Sequence, residues 1–396
     1  MSEKTHVLFI DTNDAMGGVV RVHLNVLECI DKSLFRVSLA CQCPGPLFER
    51  FSALEDVEIV PVDTGTKPAE SCGGLKGKLH DVAGLGRLAG TLARLVRYCR
   101  RENVHLIYTS DKKRAVILST LLAHLTGRPF VYHIHSVYVD YLFNRHALRE
   151  AAAVIANSVA IKRGFIAASG GQMSRIQVIH NGLDPDVFRP DIESSLPGEI
   201  GVGPDATLVG VTGRLSPEKG QDVFLRAAAE ARPETDDMHF VVVGDDSIFS
   251  DNQDFIGRLH RIVDRFDLQD RVHFVGYRND MPNVYAGLDV VVDPAWEEAF
   301  GMVVIEPMAC GKTVIGSRVG GIPEIIRDGE NGFLFPPGDH RVLAQTLLRI
   351  EREGEELRRR LGRAGRRTVL ERFSIARQTR AMEDVFGEVA REVSKV

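Results

Sequence analysis

Two stretches of the chain combine residue types suited to handling a phosphate ester. The first is Gly213-Arg214-Leu215-Ser216-Pro217-Glu218-Lys219-Gly220, which follows the apolar run Leu208–Val211. Two cations five residues apart at a strand end can neutralise a departing diphosphate, and Arg214 adds a fork of donors that matches phosphate oxygens. Either cation alone is more often a solvated surface charge. The second stretch is Asp293-Pro294-Ala295-Trp296-Glu297-Glu298-Ala299-Phe300-Gly301, running into Met302-Val303-Val304-Ile305-Glu306-Pro307-Met308-Ala309-Cys310-Gly311. Gly301 opens a helix whose free N–H groups can hold a diphosphate or sugar hydroxyls. Glu298 stands in the loop before it. Glu306 lies about a turn and a half inside it, where a carboxylate can accept both hydroxyls of a ribose.

Other patterns are weaker or fail. Gly17–Gly18 follows the first strand and lets a backbone approach a phosphate closely; its bland reading is a tight turn. The full Gly-x-Gly-x-x-Gly of dinucleotide enzymes is absent, which argues against hydride transfer. Gly311-Lys312-Thr313 lacks the Gly five residues upstream that a P-loop needs, because Glu306 stands there. His133 and His135 point the same way from one strand. Zinc would need a further ligand that is not evident, so His135, at the strand end, is the functional candidate and His133 a structural one. Asp245–Asp246 is the nearest look-alike of a metal-binding carboxylate pair.

The elements that must position these residues alternate. Strands are expected at His6–Ile10, Arg36–Ala40, Val57–Pro61, His105–Thr109, Phe130–His135, Ala153–Ala156 and Ile176–Ile179. A second series runs Leu208–Val211, His239–Val243, Val272–Val275, Val290–Val292, Thr313–Ile315 and Gly332–Phe335. Helices fall between, among them Val19–Ile30, Leu85–Arg101, Lys113–Leu125, Val159–Ala168, Gln221–Glu230, Asp254–Phe266, Val303–Ala309, Arg341–Glu353 and Ile375–Val393. Near-continuous apolar strands alternating with helices indicate parallel sheets covered on both faces. The Pro- and Gly-rich stretch Asp184–Asp205 reads as a linker. The division is residues 1–188 as a first Rossmann-like domain, 189–206 as linker, 207–373 as a second Rossmann-like domain, and 374–396 as a helix packing back on the first. Two doubly wound domains facing a cleft would gather the motifs, since ligands bind beyond the carboxyl ends of such strands.

Composition bounds the function. The chain has 396 residues, 44% hydrophobic and 26% charged, as an ordinary globular protein does. No apolar run approaches the ~20 residues that span a bilayer, and the N-terminus does not read as a signal peptide. A cytoplasmic location is expected. Six cysteines fit neither a disulfide framework nor a zinc site. Net charge is −5, which excludes a typical nucleic-acid binder. The charge is uneven: 23 Lys+Arg against 18 Asp+Glu up to Pro190, and 26 against 36 beyond it. A basic first half suits an anionic acceptor or membrane surface. Leu85–Arg101 sharpens the point, with Leu85, Leu88, Leu92, Leu95, Val96 and Cys99 on one face and five arginines on the other. Packing on the sheet is the commoner explanation; a peripheral contact at the inner membrane face is the other.

Taken together, these motifs resemble the retaining glycosyltransferases of family four (glycosyl transferases group 1), which have the two-domain GT-B fold. The resemblance rests on the Glu, seven residues, Glu signature from Glu298 to Glu306, with Gly301, Glu306-Pro307-Met308-Ala309 and Gly311. It continues through Val319-Gly320-Gly321-Ile322-Pro323-Glu324 and Gly329-Glu330-Asn331-Gly332. Upstream, Gly213-Arg214-Leu215, Lys219-Gly220, Val243-Gly244-Asp245 and Val275-Gly276-Tyr277-Arg278-Asn279-Asp280 match in order. In the first half the match is thinner: Gly17–Gly18, His135, Ser158 and His180-Asn181-Gly182-Leu183-Asp184. Asp246 departs from the family's usual Gly-Asp-Gly.

The resemblance implies a role for each residue. Arg214 and Lys219 would bind the donor diphosphate and steady the leaving group. Glu298 would bond the donor sugar, Glu306 the ribose, and the backbone near Tyr277 and Arg278 the base. Phe300, Gly301, Met302 and Val303 would face sugar and phosphates. Gly17 and Gly18 would reach the diphosphate, and His135 the sugar. The implied enzyme is a metal-independent hexosyltransferase (EC 2.4) with no cofactor, moving a sugar from a nucleoside-diphosphate sugar, UDP favoured, to a hydroxyl acceptor with retention. The reaction would serve glycan, glycolipid or glycosylated-metabolite synthesis. A sugar-nucleotide epimerase on the same fold and a non-catalytic sugar-nucleotide binder are the alternatives.

Overall fold

The computed structural model describes residues 4–13, 17–63, 75–110, 113–136, 146, 148–169, 176–235, 237–244 and 253–393; side chains are described from residue 86 onward in the helix that begins at Leu75. The chain forms two compact units. One comprises Met1–His180 with Ile375–Val396, the other Asn181–Ser374.

The first unit is built on seven parallel strands: β1 (Thr5–Asp11), β2 (Phe35–Gln42), β3 (Val57–Val62), β4 (Leu106–Ser110), β5 (Phe130–Ile134), β6 (Ala153–Ala156) and β7 (Ile176–Val178). They are arranged β3-β2-β1-β4-β5-β6-β7. The order runs outward in both directions from β1, the reversal that marks a doubly wound sheet. Val7, Phe9, Leu39, Leu106, Tyr108 and Val131 are buried to 1% exposure or less, because helices cover both faces. The last helix, Ile375–Val393, returns to this unit. Its Met382, Val385 and Phe386 join the core of β1 and β4, with Phe386 edge-on to Tyr108 at 5.6 Å between centroids.

The second unit has six parallel strands: β8 (Thr207–Thr212), β9 (Met238–Val243), β10 (Val272–Gly276), β11 (Val290–Asp293), β12 (Thr313–Ser317) and β13 (Phe333–Phe335). Their order is β10-β9-β8-β11-β12-β13. The same reversal occurs here, between β8 and β11. Thr212 is the last residue of β8 and Asp293 of β11, so the loops carrying both charged motifs leave the same edge of the sheet side by side.

Three sequence expectations change. Residues 184–205 are not a free linker: they belong to the second unit, with Leu196 fully buried and Ser194 Oγ donating to the Asn283 carbonyl at 2.7 Å. The proline-rich run includes a short helix, Leu196–Glu199, whose Pro197 sits in its first turn, where a missing N–H costs nothing. The passage between units falls instead at His180–Asn181. The helix expected from Leu85 begins at Leu75, and it buries Leu95 and Cys99 completely while Arg87, Arg94, Arg97, Arg100 and Arg101 stay exposed. The helix expected to end at Glu353 is followed, across a break at Gly354 (φ 69°), by a second helical stretch to Arg372.

Candidate active site

The motif loops of the second unit are locked together by close backbone passages. Gly213 leaves β8 with φ 129°, and a Cβ on Gly244, after β9, would lie 1.9 Å from the Gly213 carbonyl oxygen. A 3₁₀ turn, Pro217–Lys219, brings the chain to Gly220, where a Cβ would lie 2.1 Å from the Pro294 carbonyl. The Trp296 N–H then donates to the Glu218 carbonyl at 2.9 Å. Thus the loops after β8 and β11 pass in contact because glycine allows it.

This closeness joins residues far apart in sequence. The Lys219 ammonium donates to Glu298 Oε2 at 2.7 Å. Burial works against the ammonium, but Glu298 and Asp293 outweigh it and hold Lys219 charged above the ordinary lysine range. Glu298 Oε1 accepts from its own loop, at the Phe300 N–H, 3.4 Å away. Its carbonyl accepts from the Gly321 N–H at 3.1 Å, and a Cβ on Gly320 would fall 1.7 Å from that same carbonyl. Glu298 is therefore held from both sides rather than being a free surface carboxylate.

Gly301 (φ 119°) starts the helix Met302–Ala309; Phe300 beside it is buried, while Met302 and Val303 stay partly accessible at the helix's open N–H end. Glu306 is not a solvated helix charge. It is 5% exposed, and Oε2 accepts from the Tyr285 hydroxyl at 2.9 Å. Thr212, at the end of β8, stands 3.2 Å from that hydroxyl. Burial, and the Glu306 charge after it, push the phenol well above its usual range, so Tyr285 stays a donor. Arg214 pairs with Glu218 four residues on, its side chain 44% exposed. Its carbonyl accepts from Gln221 at 2.8 Å.

Tyr277 and Arg278 follow β10, two strands from β8. Tyr277 is 55% exposed. Arg278 is tied to Asp280 (2.6 and 2.8 Å) and to Glu199 (2.5 Å), so its backbone is braced by ion pairs. Asp245–Asp246 lie outside the described residues.

In the first unit, Gly17 and Gly18 stand at a helix start and His135 follows β5. Gly17 is extended (φ −164°, ψ −179°) and precedes the helix Gly18–Cys29. A Cβ on either glycine would meet nothing within 4 Å among the described residues. That helix turns His23 back onto the end of β1, where Nδ1 stands 2.6 Å from Asp11 Oδ2. Burial opposes the Asp11 charge, but His23 and Asn13 more than offset it and hold the carboxyl below its usual range. His133 is stacked on His135, with centroids 3.9 Å apart, and the His23 ring lies 6.2 Å from His135. His133 Nδ1 is 2.6 Å from the Tyr108 hydroxyl. Burial, with the neighbouring His23 next, takes the His133 pKa down to about 3, and burial with His133 takes His135 well below its usual range. Both rings are neutral near pH 7. Sequence reading missed Asp11, His23 and Tyr108. The available signal was His23 itself, the one polar residue among the buried positions of its helix.

Comparison with known proteins identifies the family. The profile described as glycosyl transferases group 1 covers residues 196–368, and that described as glycosyltransferase family 4 covers residues 16–187. The chain belongs to the group 1 glycosyltransferases of family four, with their two-domain α/β GT-B fold. Among curated relatives, the D-inositol 3-phosphate glycosyltransferase of Mycobacterium sp. (strain JLS) is 32% identical over 217 residues, 53% of this chain and 47% of that protein. The chain thus spans about half the length of the curated relatives it matches. Among solved structures, Anabaena HepE in complex with UDP superposes with a TM-score of 0.82 at 26% identity, covering 97% of this chain and 100% of that one. HepE in complex with UDP-glucose gives 0.79 at 26%, covering 99% and 100%.

Proposed function

We propose that the protein is a retaining, metal-independent hexosyltransferase that moves a sugar from a UDP-sugar to a hydroxyl acceptor. The observation that carries this reading is the Lys219–Glu298 pair beside the Gly301 helix start, with Glu306 fixed by Tyr285 on the same helix. Lys219, with Arg214 from the same loop, takes the diphosphate; Glu298 takes hydroxyls of the sugar; Glu306 takes the ribose. The exposed Tyr277 and the braced backbone of Arg278 are offered to the base. In the first unit, the open backbone at Gly17–Gly18 suits close approach to the diphosphate, and a neutral His135 suits a sugar hydroxyl. As the anomeric carbon–oxygen bond breaks, the leaving phosphate takes the acceptor's proton while the acceptor oxygen bonds from the same face. The protein supplies orientation and charge stabilisation. UDP is favoured by HepE, whose structures hold UDP and UDP-glucose. The products belong to glycan, glycolipid or glycosylated-metabolite synthesis.

The test is donor turnover against a panel of UDP-, GDP- and ADP-sugars, with chelator present and no metal added. Release of UDP from one donor, and a product with the donor's anomeric configuration by NMR, is the expected result. A metal requirement, an inverted product, or an epimer formed without UDP would overturn the reading.

A peripheral contact with an anionic membrane at the cytoplasmic face belongs to the same proposal. It is supported by the exposed arginines of Leu75–Arg101 and by Ile117, Leu121 and Leu125, which are 40–51% exposed at four-residue spacing on the helix Lys113–Thr126. Co-sedimentation with phosphatidylglycerol vesicles, lost at about 0.5 M salt, is expected; equal binding to neutral vesicles would count against it.

A further inference from the structure

Asp293 ends β11 directly below the charged pair, and the proposed chemistry gives it no task. It is 3% exposed. Oδ1 accepts one long bond, from the Ala295 N–H at 3.3 Å. Oδ2 is buried with no hydrogen-bond partner among the described residues. The charged groups that bear on it are Glu298, from its own loop, and Lys219, from the turn after β8; Arg214, in the β8 loop, bears in turn on Lys219. From β12, on its other side, comes the uncharged Ser317, whose hydroxyl donates to the Ala295 carbonyl.

Two carboxylates thus compete for one ammonium. With all three groups ionised the cluster carries one net negative charge; with Asp293 protonated it carries none. A buried carboxylate oxygen without a donor is costly when charged and far less so as the neutral acid. Burial, and the Glu298 charge after it, push the Asp293 carboxyl up to about 7, while Lys219 pulls the other way. Near neutral pH the cluster therefore exists in two charge states.

A donor diphosphate brings two negative charges to Lys219. It meets a neutral cluster when Asp293 holds its proton and a repelling one when it does not. We propose that Asp293 is a positioning residue that couples donor binding to uptake of one proton, by setting the net charge around Lys219 and Glu298. This rests on the donor reading given above and names a control on that same site. Nothing but a proton moves: it passes from solvent to the Asp293 carboxylate when the donor binds, and returns when the nucleoside diphosphate leaves.

The experiment is calorimetric titration of the full chain with UDP-glucose, or whichever UDP-sugar the donor panel selects. A UDP-sugar is the right probe because its diphosphate has no group that titrates between pH 6 and 8.5, whereas free UDP does. Titrations in buffers of different ionisation enthalpy give the proton count. Wild type should take up about half a proton per donor at pH 7 and nearly one at pH 8. Its Kd should rise up to about tenfold per pH unit above 7. Asp293→Asn should take up none, and its Kd should be flat over the same range. Binding by wild type with no proton uptake overturns the proposal without further variants. So does uptake that persists in a folded Asp293→Asn. If no UDP-sugar binds at any pH, it is the donor reading that has failed.

Discussion

The two units place polar groups at the carboxyl edges of similar sheets, but by opposite electrostatic means. In the second unit the edge is charged: Lys219 and Glu298 are in contact, with Asp293 buried beneath them. In the first, Asp11 is held charged by His23, but burial, and repulsion from a neighbouring histidine after it, leave His133 and His135 uncharged. The glycines differ likewise. Gly220, Gly244 and Gly320 are demanded by this chain's own backbone, since a Cβ at each would strike a carbonyl. A Cβ at Gly17 or Gly18 would meet nothing within 4 Å among the described residues. The contrast is between loops locked by the chain's own backbone around a charged pair and an open backbone on an element other than that of the two neutral rings.

That contrast can be broken in several ways. The largest effect should come from Glu298→Ala, which removes both the partner of Lys219 and the sugar contact. Turnover of the UDP-sugar should fall by about 10²–10³-fold, and a fall under about threefold would show that the pair does not hold the donor. Next are the glycines. Gly320→Ala should cost about 2–4 kcal/mol of stability by denaturant unfolding, because the residue sits at φ 50° with a carbonyl in the way. Gly17→Ala should change stability by no more than about 0.5 kcal/mol yet weaken donor binding about tenfold. A destabilised Gly17→Ala that binds donor normally would erase the distinction between the two sets.

The last test is of the first unit's pH response. His133 is held neutral when folded, with its pKa near 3 against 6.5 ordinarily. Below pH 6.5 the unfolded chain binds a proton that the folded one refuses, so stability falls as pH drops from 6.5 towards 3. The slope is about 1.4 kcal/mol per pH unit for this histidine. His133→Phe should flatten that slope in the first unit, followed by amide hydrogen exchange. An unchanged slope would mean the ring is not kept neutral.

The strands were legible because a parallel sheet covered on both faces requires short unbroken apolar runs; Val7–Ile10 within β1 and Val290–Val292 within β11 stand out for that reason. Short helices were not. Leu196–Glu199 and Met281–Gly287 each carry a proline in the first turn, which reads as a breaker unless the helix start is already known. The stretch after Gly354 was lost to its glycines, yet Gly362 is where the helix touches the chain turn at Gly311: a Cβ there would lie 1.9 Å from the Gly311 carbonyl. In the site, Lys219 and Glu298 were readable as types in a pattern, and their contact across 79 positions was not. Asp293 looked like a strand end, because its role depends on a lysine that only the β8–β11 pairing brings near. The pairing of His23 was hidden for the same reason: its partner Asp11 is set by how a helix folds back over β1.

The second unit begins at Asn181 and ends at Ser374, and those ends meet. The Leu183 N–H donates to the Phe373 carbonyl at 3.0 Å, and Leu183 forms a bridge with Ser374. In topological terms this is an insert: a stretch of chain interposed between the two segments of the other unit, with entry and exit stitched together. Evolution or an engineer can replace such an insert without re-threading its host, since only one pair of neighbouring junctions has to be rejoined.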